Sequence, residues 1–446
     1  MNALKIFSVL LVFVLIVSSC AVDNDDYVET PITSLLEKQI QATAGSKTIL
    51  ILPASNDFNA IPSDLNNSIT MAKVKLGQLL FHETALGKNP SKAQGMNTYS
   101  CASCHHAAAG FQSGIQQGIG DGGIGFGNHG EGRLKSPDYL EADLDVQPIK
   151  SPSILNSAFQ EVMLWNGQFG AIGANIGTEA NWTTGTPKEA NTFGFEGVET
   201  QAIAGLDVHR LIIEEDFIIN SDYKALFDVA FPNVLENERY TKLNAALAIA
   251  AYERTVLASE APFQKWLKGD ENAMNDDEME GGILFFGKGK CYSCHSGPGL
   301  NGMEFHALGM KDLAGSNIMT EVDEATKKGR GGFTGNPDDD YKFKTPQLYN
   351  LTDAGFYGHG GSFKSIREII SYKNNAIAEN TDVPSNKLSS QFQPLNLTEY
   401  EVDLLTSFVE NALYDNNLKR YQPESLPTGN CFPNADAQSS IDMGCN

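Results

Sequence analysis

Residues 101–106 read CASCHH, and residues 291–295 read CYSCH. One chain thus carries the same Cys-x-x-Cys-His spacing twice, almost two hundred residues apart. A four-ligand zinc site pairs two Cys-containing units near enough to share one ion. A thiol redox pair needs neither the adjacent His nor a second copy. Covalent attachment of c-type haem uses every residue of the motif. The cysteines form thioethers to the two vinyl groups, and the His ligates iron from the proximal side. Cys101, Cys104 and His105 are therefore expected to hold one haem c, and Cys291, Cys294 and His295 another. Two such groups divide their labour only if their sixth ligands differ. A saturated iron carries electrons, whereas an open or labile one does chemistry.

The surrounding chain fits an exported protein. Its 446 residues, 41% of them hydrophobic, suffice for more than one core. A net charge of −23 makes nucleic acid a poor partner and a basic protein patch a better one. The start, MNALKIFSVLLVFVLIVSSC, has Lys5, an apolar run from Ile6 to Val17, then small residues. That run is short for a membrane span and reads as an export signal over residues 1–19. Val17-Ser18-Ser19-Cys20 resembles a bacterial lipobox, which would make Cys20 the lipidated first residue of the mature protein. The alternative is an ordinary signal peptide. The expected location is the periplasm or cell envelope, with a lipid anchor in the outer membrane as the only membrane attachment. Cys431 and Cys445 are left over, and in an oxidising compartment they are expected to pair. Such a disulfide would constrain the unfolded chain by roughly 3 kcal/mol.

Helical periodicity dominates, and strand signals are few. Residues 20–70 are polar and read as a tether and lead-in. MAKVKLGQLLFH, from Met71, places Val74, Leu76, Leu79, Leu80 and Phe81 on a mostly apolar face. Residues 114–132 hold nine glycines, including the literal G-x-G-x-x-G of GIGDGG. No strand precedes it and no periodic helix follows, so it reads as a flexible loop and not a dinucleotide fingerprint. RYTKLNAALAIAAYERTVLAS (239–259) is the clearest helix. Gly269–Glu280 reads as a linker and helix start, and LTEYEVDLLTSFVENAL as a late helix with Thr398 at its N-cap. The chain is thus two helical halves, each with one motif.

Beyond the motifs, an ordered set of segments carries a resemblance. LFHETALG…YSCASCH, SPSILN…LWNGQ, ETQA, AAYERTV, FFGKGKCYSCHSGPGL, FHALGM, KTPQLYNLTDAGFYGHGGSF and LTEYEVDLLTSFV resemble, in that order, the bacterial di-haem cytochrome c peroxidases and MauG-type enzymes. The resemblance covers roughly residues 70–415. It implies a mainly α fold of two cytochrome c-like helical domains, each carrying one covalently bound haem c. These would be a peroxidatic domain at 71–262 and an electron-transfer domain at 263–425, followed by a tail at 426–446.

The resemblance also implies roles for single residues. Trp165 matches a tryptophan between the haems, able to relay an electron. Gln201 matches a glutamine at the peroxide-binding face. The family's acidic acid–base group, about ten positions further on, has no counterpart in GLDVHRL. His209 is the substitute expected there, with Glu199 and Asp207 behind it. Asp121 stands where a labile distal His belongs; His106 and His129 are the nearby alternatives, or the iron is open. For the second haem, SIREIISYKNN places Tyr372 at the axial position, as in the MauG type, with Met303 and Met310 as alternatives. His359 is expected beside that haem without ligating it. The family's interdomain calcium is in doubt, because Lys150 occupies its Asn position.

Three functions follow. The first is reduction of hydrogen peroxide to water with electrons from a small cytochrome c or cupredoxin. The second is MauG-like oxidation of a partner protein, and the third plain di-haem electron transfer. Family members are often homodimers.

Overall fold

The helix expected from Met71 forms as Met71–His82, and Thr70 caps it: its side chain accepts the Lys73 N–H. The Lys242–Thr255 helix starts the same way at Thr241 and is buried along almost its whole length. These two helices cross in close contact. Gly77 makes the crossing possible, since a Cβ there would stand 1.9 Å from the Ala248 carbonyl oxygen. The Gly197–Val208 helix packs on the same partner.

The second half repeats the device. Asp276–Phe286 begins with a capping box in which Asn275 and Glu278 each accept the other's backbone N–H. It packs on Glu399–Ser407, itself capped by Thr398 and Glu401. Here Gly281 takes the place of Gly77: a Cβ would meet the Leu404 carbonyl oxygen at 2.1 Å. Each half is therefore a glycine-mediated helix crossing that leads into a Cys-x-x-Cys-His turn. Among the described residues, strand is confined to two antiparallel two-residue pairs, Gly123–Ile124 with Leu134–Lys135 and Phe305–His306 with Phe343–Lys344. The fold is mainly α.

The computed structural model describes residues 31–445, so the expected signal at 1–19 and Cys20 lie outside the described residues. From Ile32 onward the chain is one compact unit. Among the described residues no helix is long and apolar enough to cross a membrane.

Two expectations need correction. The polar segment read as a tether is helical from Ile32 to Ala44, with Leu36 and Ile40 buried. Gln39 and Thr43 donate to the Phe286 carbonyl, which fixes it to the Asp276–Phe286 helix. The glycine-rich loop is held down and not free. Asp436 accepts the Gly125 N–H, and Asp442 those of Phe126 and Gly127. Arg133 donates to the Ile119 and Gly120 carbonyls beneath it. The clamping acids come from the tail, where Cys431 and Cys445 are disulfide-bonded.

Candidate haem-binding and peroxide site

The two motifs fold alike. Cys101–Ser103 and Cys291–Ser293 are single tight turns, and the His105 and His295 N–H groups bond back to the carbonyls of Cys101 and Cys291. All four thiols are unbonded. His105 Nδ1 lies 3.4 Å from the Phe111 carbonyl, and His295 Nδ1 lies 3.2 and 3.0 Å from those of Leu300 and Pro346. A carbonyl only accepts, so Nδ1 carries the proton and Nε2 keeps its lone pair for a metal. Burial pushes both rings down to about 4, which keeps them neutral as a ligand must be.

The second motif opens onto a cavity of about 880 Å³ walled by Cys291, Cys294, His295, Trp165 and His359. That volume lies within the roughly 300–1,000 Å³ usual for cofactor sites. Thiols, a neutral imidazole and apolar walls such as Leu308, Ile366, Ile369 and Ile370 fit a haem c. Trp165 bridges toward the first motif: its Nε1 donates to the Lys150 carbonyl at 2.8 Å. Its ring stands edge-on to His359, centroids 6.4 Å apart, and His359 stacks on Phe343 at 3.7 Å. His359 Nε2 contacts Asp312 at 3.3 Å.

Around the first motif, Gln201 and His209 lie eight residues apart on one face of the Gly197–Val208 helix and its C-cap. The Gln201 Oε1 atom is buried without a partner. Asp145 accepts His209 Nδ1 at 2.9 Å, leaving Nε2 free. Burial works against the charged ring, yet the Asp145 carboxylate outweighs it and raises His209 overall. The His209 charge is felt in turn at His105.

Several expected site residues are committed elsewhere. Glu199 is fully buried in a two-pronged bond from Arg254 (2.9 and 2.6 Å), with Asn67 on the same carboxylate. That pairing makes its role structural. Asp207 is exposed and pairs with Lys242 at 2.6 Å. Asp121 is buried among the Ser91 N–H, the Tyr139 hydroxyl and Arg210, far from a distal role. His129 is exposed, its Nδ1 on the Ala108 carbonyl at 2.8 Å. His106 is buried edge-on to Phe126 with Gly130 against its Nε2.

Tyr372 does not face the second cavity. On the Ile366–Asn375 helix the cavity wall is Ile366, Ile369, Ile370 and Lys373, and Tyr372 lies off that stripe. Its hydroxyl donates to the Leu308 carbonyl at 2.5 Å and accepts the Glu379 N–H. Burial pushes the phenol up to about 12, against the phenolate an iron ligand requires. Met310 is on the wall and Met303 is not. Lys150 places a buried amine 3.5 Å from the Ser113 carbonyl, pushed down to about 7 by burial. An amine does not ligate calcium, which takes oxygens, so these residues do not fit that ion.

Two residues near the first motif escaped sequence reading. Asp145 orients His209, and nothing in its neighbourhood marks it. Glu253 has a buried Oε2 without a partner and is pushed up to about 8 by burial. Its charge is felt at Cys101. A carboxylate inside the alanine-rich Lys242–Thr255 helix was the available signal.

Comparison with known proteins identifies the family. The family model described as di-haem cytochrome c peroxidase matches residues 71–272. The cytochrome-c peroxidase IdrP1 of Denitromonas iodatirespirans is 30% identical over 380 residues, covering 80% of this chain and 86% of that protein. The methylamine utilization protein MauG of Methylorubrum extorquens is 28% identical over 355 residues, covering 79% and 81%. Among solved structures, a MauG-like protein associated with microbial copper homeostasis superposes with a TM-score of 0.55 at 23% identity, over 82% of this chain and 94% of that one. Through its ordered motifs and this likeness, the chain belongs to the di-haem cytochrome c peroxidase family and is a peroxidase-type oxidoreductase.

Proposed function

We propose that the protein reduces hydrogen peroxide to water at the first motif, with electrons arriving singly from a small redox protein at the second. The balance is one peroxide, two electrons and two protons to two waters. Haem c on each motif would supply the electrons and the iron to which peroxide binds. The chain's own residues do the rest. Gln201 presents its unpartnered Oε1 as an acceptor for the O–H of the incoming peroxide. His209, held by Asp145 with Nε2 free, takes the proton from one peroxide oxygen and returns it to the other. Trp165 joins the second cavity to the backbone beside the first motif. The observation that carries this reading is the Asp145–His209 pair on the same helix face as the orphaned Gln201 Oε1. Tyr372, the residue that favoured the MauG-like alternative, is turned off the cavity wall. Export to the periplasm belongs to the same proposal and is supported by the apolar start of the chain.

The test is peroxide-dependent oxidation of a reduced small cytochrome c by purified holoprotein, with and without Gln201→Ala. We expect saturable turnover that the substitution lowers by on the order of a hundredfold, as when a single group acting in the transition state is removed. A holoprotein that consumes no peroxide, di-ferric or with one haem reduced, would overturn the proposal.

A further inference from the structure

The cavity beside the second motif lacks the axial phenolate expected of it, which raises the question of what faces the iron opposite His295. Of the donor side chains on its wall, Lys344 is bonded to Gln160 and Lys150 reaches the Ser113 carbonyl, which leaves His306, Met310, His359 and Lys373 to compare. His306 bonds Ser389 through Nδ1 at 3.2 Å, and its Nε2, buried with no hydrogen-bond partner, faces the Glu304 carboxylate at 3.4 Å. His359 is stacked on Phe343 and turned to Asp312. The Met310 sulfur lies against the Gly358 turn, 3.2 Å from where a Cβ would stand. Lys373 differs from His359 and Met310, and unlike His306 it has no carboxylate beside it. Among the described residues its amine has no hydrogen-bonding or carboxylate partner, only the face of Phe392 at 5.2 Å.

We propose that the Lys373 Nζ is the sixth ligand of the haem iron held by Cys291, Cys294 and His295. The inference rests on the di-haem reading above. Lys373 is the last member of the Ile366, Ile369, Ile370 stripe, so the helix that supplies the apolar wall also places Lys373 on it. A neutral primary amine offers one lone pair, a nitrogen donor of the same kind as imidazole. A haem propionate is the other partner a cavity lysine can take, and location argues against it. The charge of Lys373 is felt at Cys291, Cys294 and His295. In a c-type haem the thioethers form on the vinyl half of the ring, and the propionates occupy the opposite half. A side chain lining the same cavity as both thiols, with its charge felt at them, is better placed for the vinyl half than for the propionates. Ligation by Lys373 would saturate the second iron and leave it to carry electrons.

The experiment uses di-ferric holoprotein. Haem content per chain is measured first, and fewer than two haems would overturn the di-haem reading itself. Electron paramagnetic resonance and near-infrared magnetic circular dichroism then compare wild type with Lys373→Ala, Lys373→Met, Tyr372→Phe and Met310→Ala. We expect Lys373→Ala to convert one low-spin haem to high-spin. Lys373→Met, which keeps the side chain's bulk, should restore a low-spin haem with a thioether signature. Tyr372→Phe and Met310→Ala should leave the spectrum unchanged. An unchanged spectrum in Lys373→Ala, or loss of the low-spin signal in Tyr372→Phe or Met310→Ala, would overturn the assignment.

Discussion

His209 earns its place by its partner. Asp145 fixes which nitrogen holds the proton and raises the ring's pKa against the pull of burial. As a base it works only when neutral, so kcat/KM for peroxide should fall on the acid side as the ring protonates. Asp145→Asn removes the charge that raises His209, so the acid limb of the pH profile should move to lower pH; an unmoved limb would separate His209 from proton transfer. At this scale the sequence was readable where chemistry imposes a pattern and opaque elsewhere. The two Cys-x-x-Cys-His turns announce themselves by spacing. Glu199 looked catalytic because its Arg254 partner is 55 residues away and invisible in the sequence. Tyr372 shows the finer failure: on a helix one position is a rotation of about 100°, enough to move a side chain off the cavity wall. The apolar stripe of Ile366, Ile369 and Ile370, read forward by helical spacing, arrives at Lys373.

The elements were more legible than the site. Thr398 caps the helix it was expected to open, and Thr70 and Thr241 cap two others in the same way, because a hydroxyl accepting an N–H is a local interaction. Helix crossings are not local, and the sequence marks them only by a glycine in an otherwise good helix. Gly77 is such a mark. Gly77→Ala would drive a methyl into the Ala248 carbonyl and force the Met71–His82 and Lys242–Thr255 helices apart. Overpacking of this kind costs about 1–3 kcal/mol, and the thermal midpoint should drop accordingly. A midpoint equal to wild type would mean the crossing is looser than described. Residues 32–44 were misread because their apolar positions are few; the two that matter, Leu36 and Ile40, are completely buried.

Across the whole molecule, the ends of the chain hold distant parts. The Ile32–Ala44 helix lies on the second half's Asp276–Phe286 helix, and the disulfide-bonded tail clamps the glycine-rich loop of the first half through Asp436 and Asp442. Opening the disulfide with Cys431→Ser should cost roughly 3 kcal/mol, the loop-closure value for a ring of this size. Denaturant unfolding of the variant measures it directly, and no loss would mean the hydrogen bonds to the loop hold the tail unaided. The pairing was legible from cysteine count alone, whereas the loop it restrains was not, since its partners lie more than 300 residues away.

In the proposed peroxidase the two motifs divide the labour, one reducing peroxide and the other passing on electrons. The direct test is the number of reduced small cytochrome c molecules oxidised per peroxide consumed by the wild-type holoprotein at steady state. The account predicts two for each peroxide, sustained over many turnovers. Peroxide consumed while the cytochrome stays reduced would contradict it.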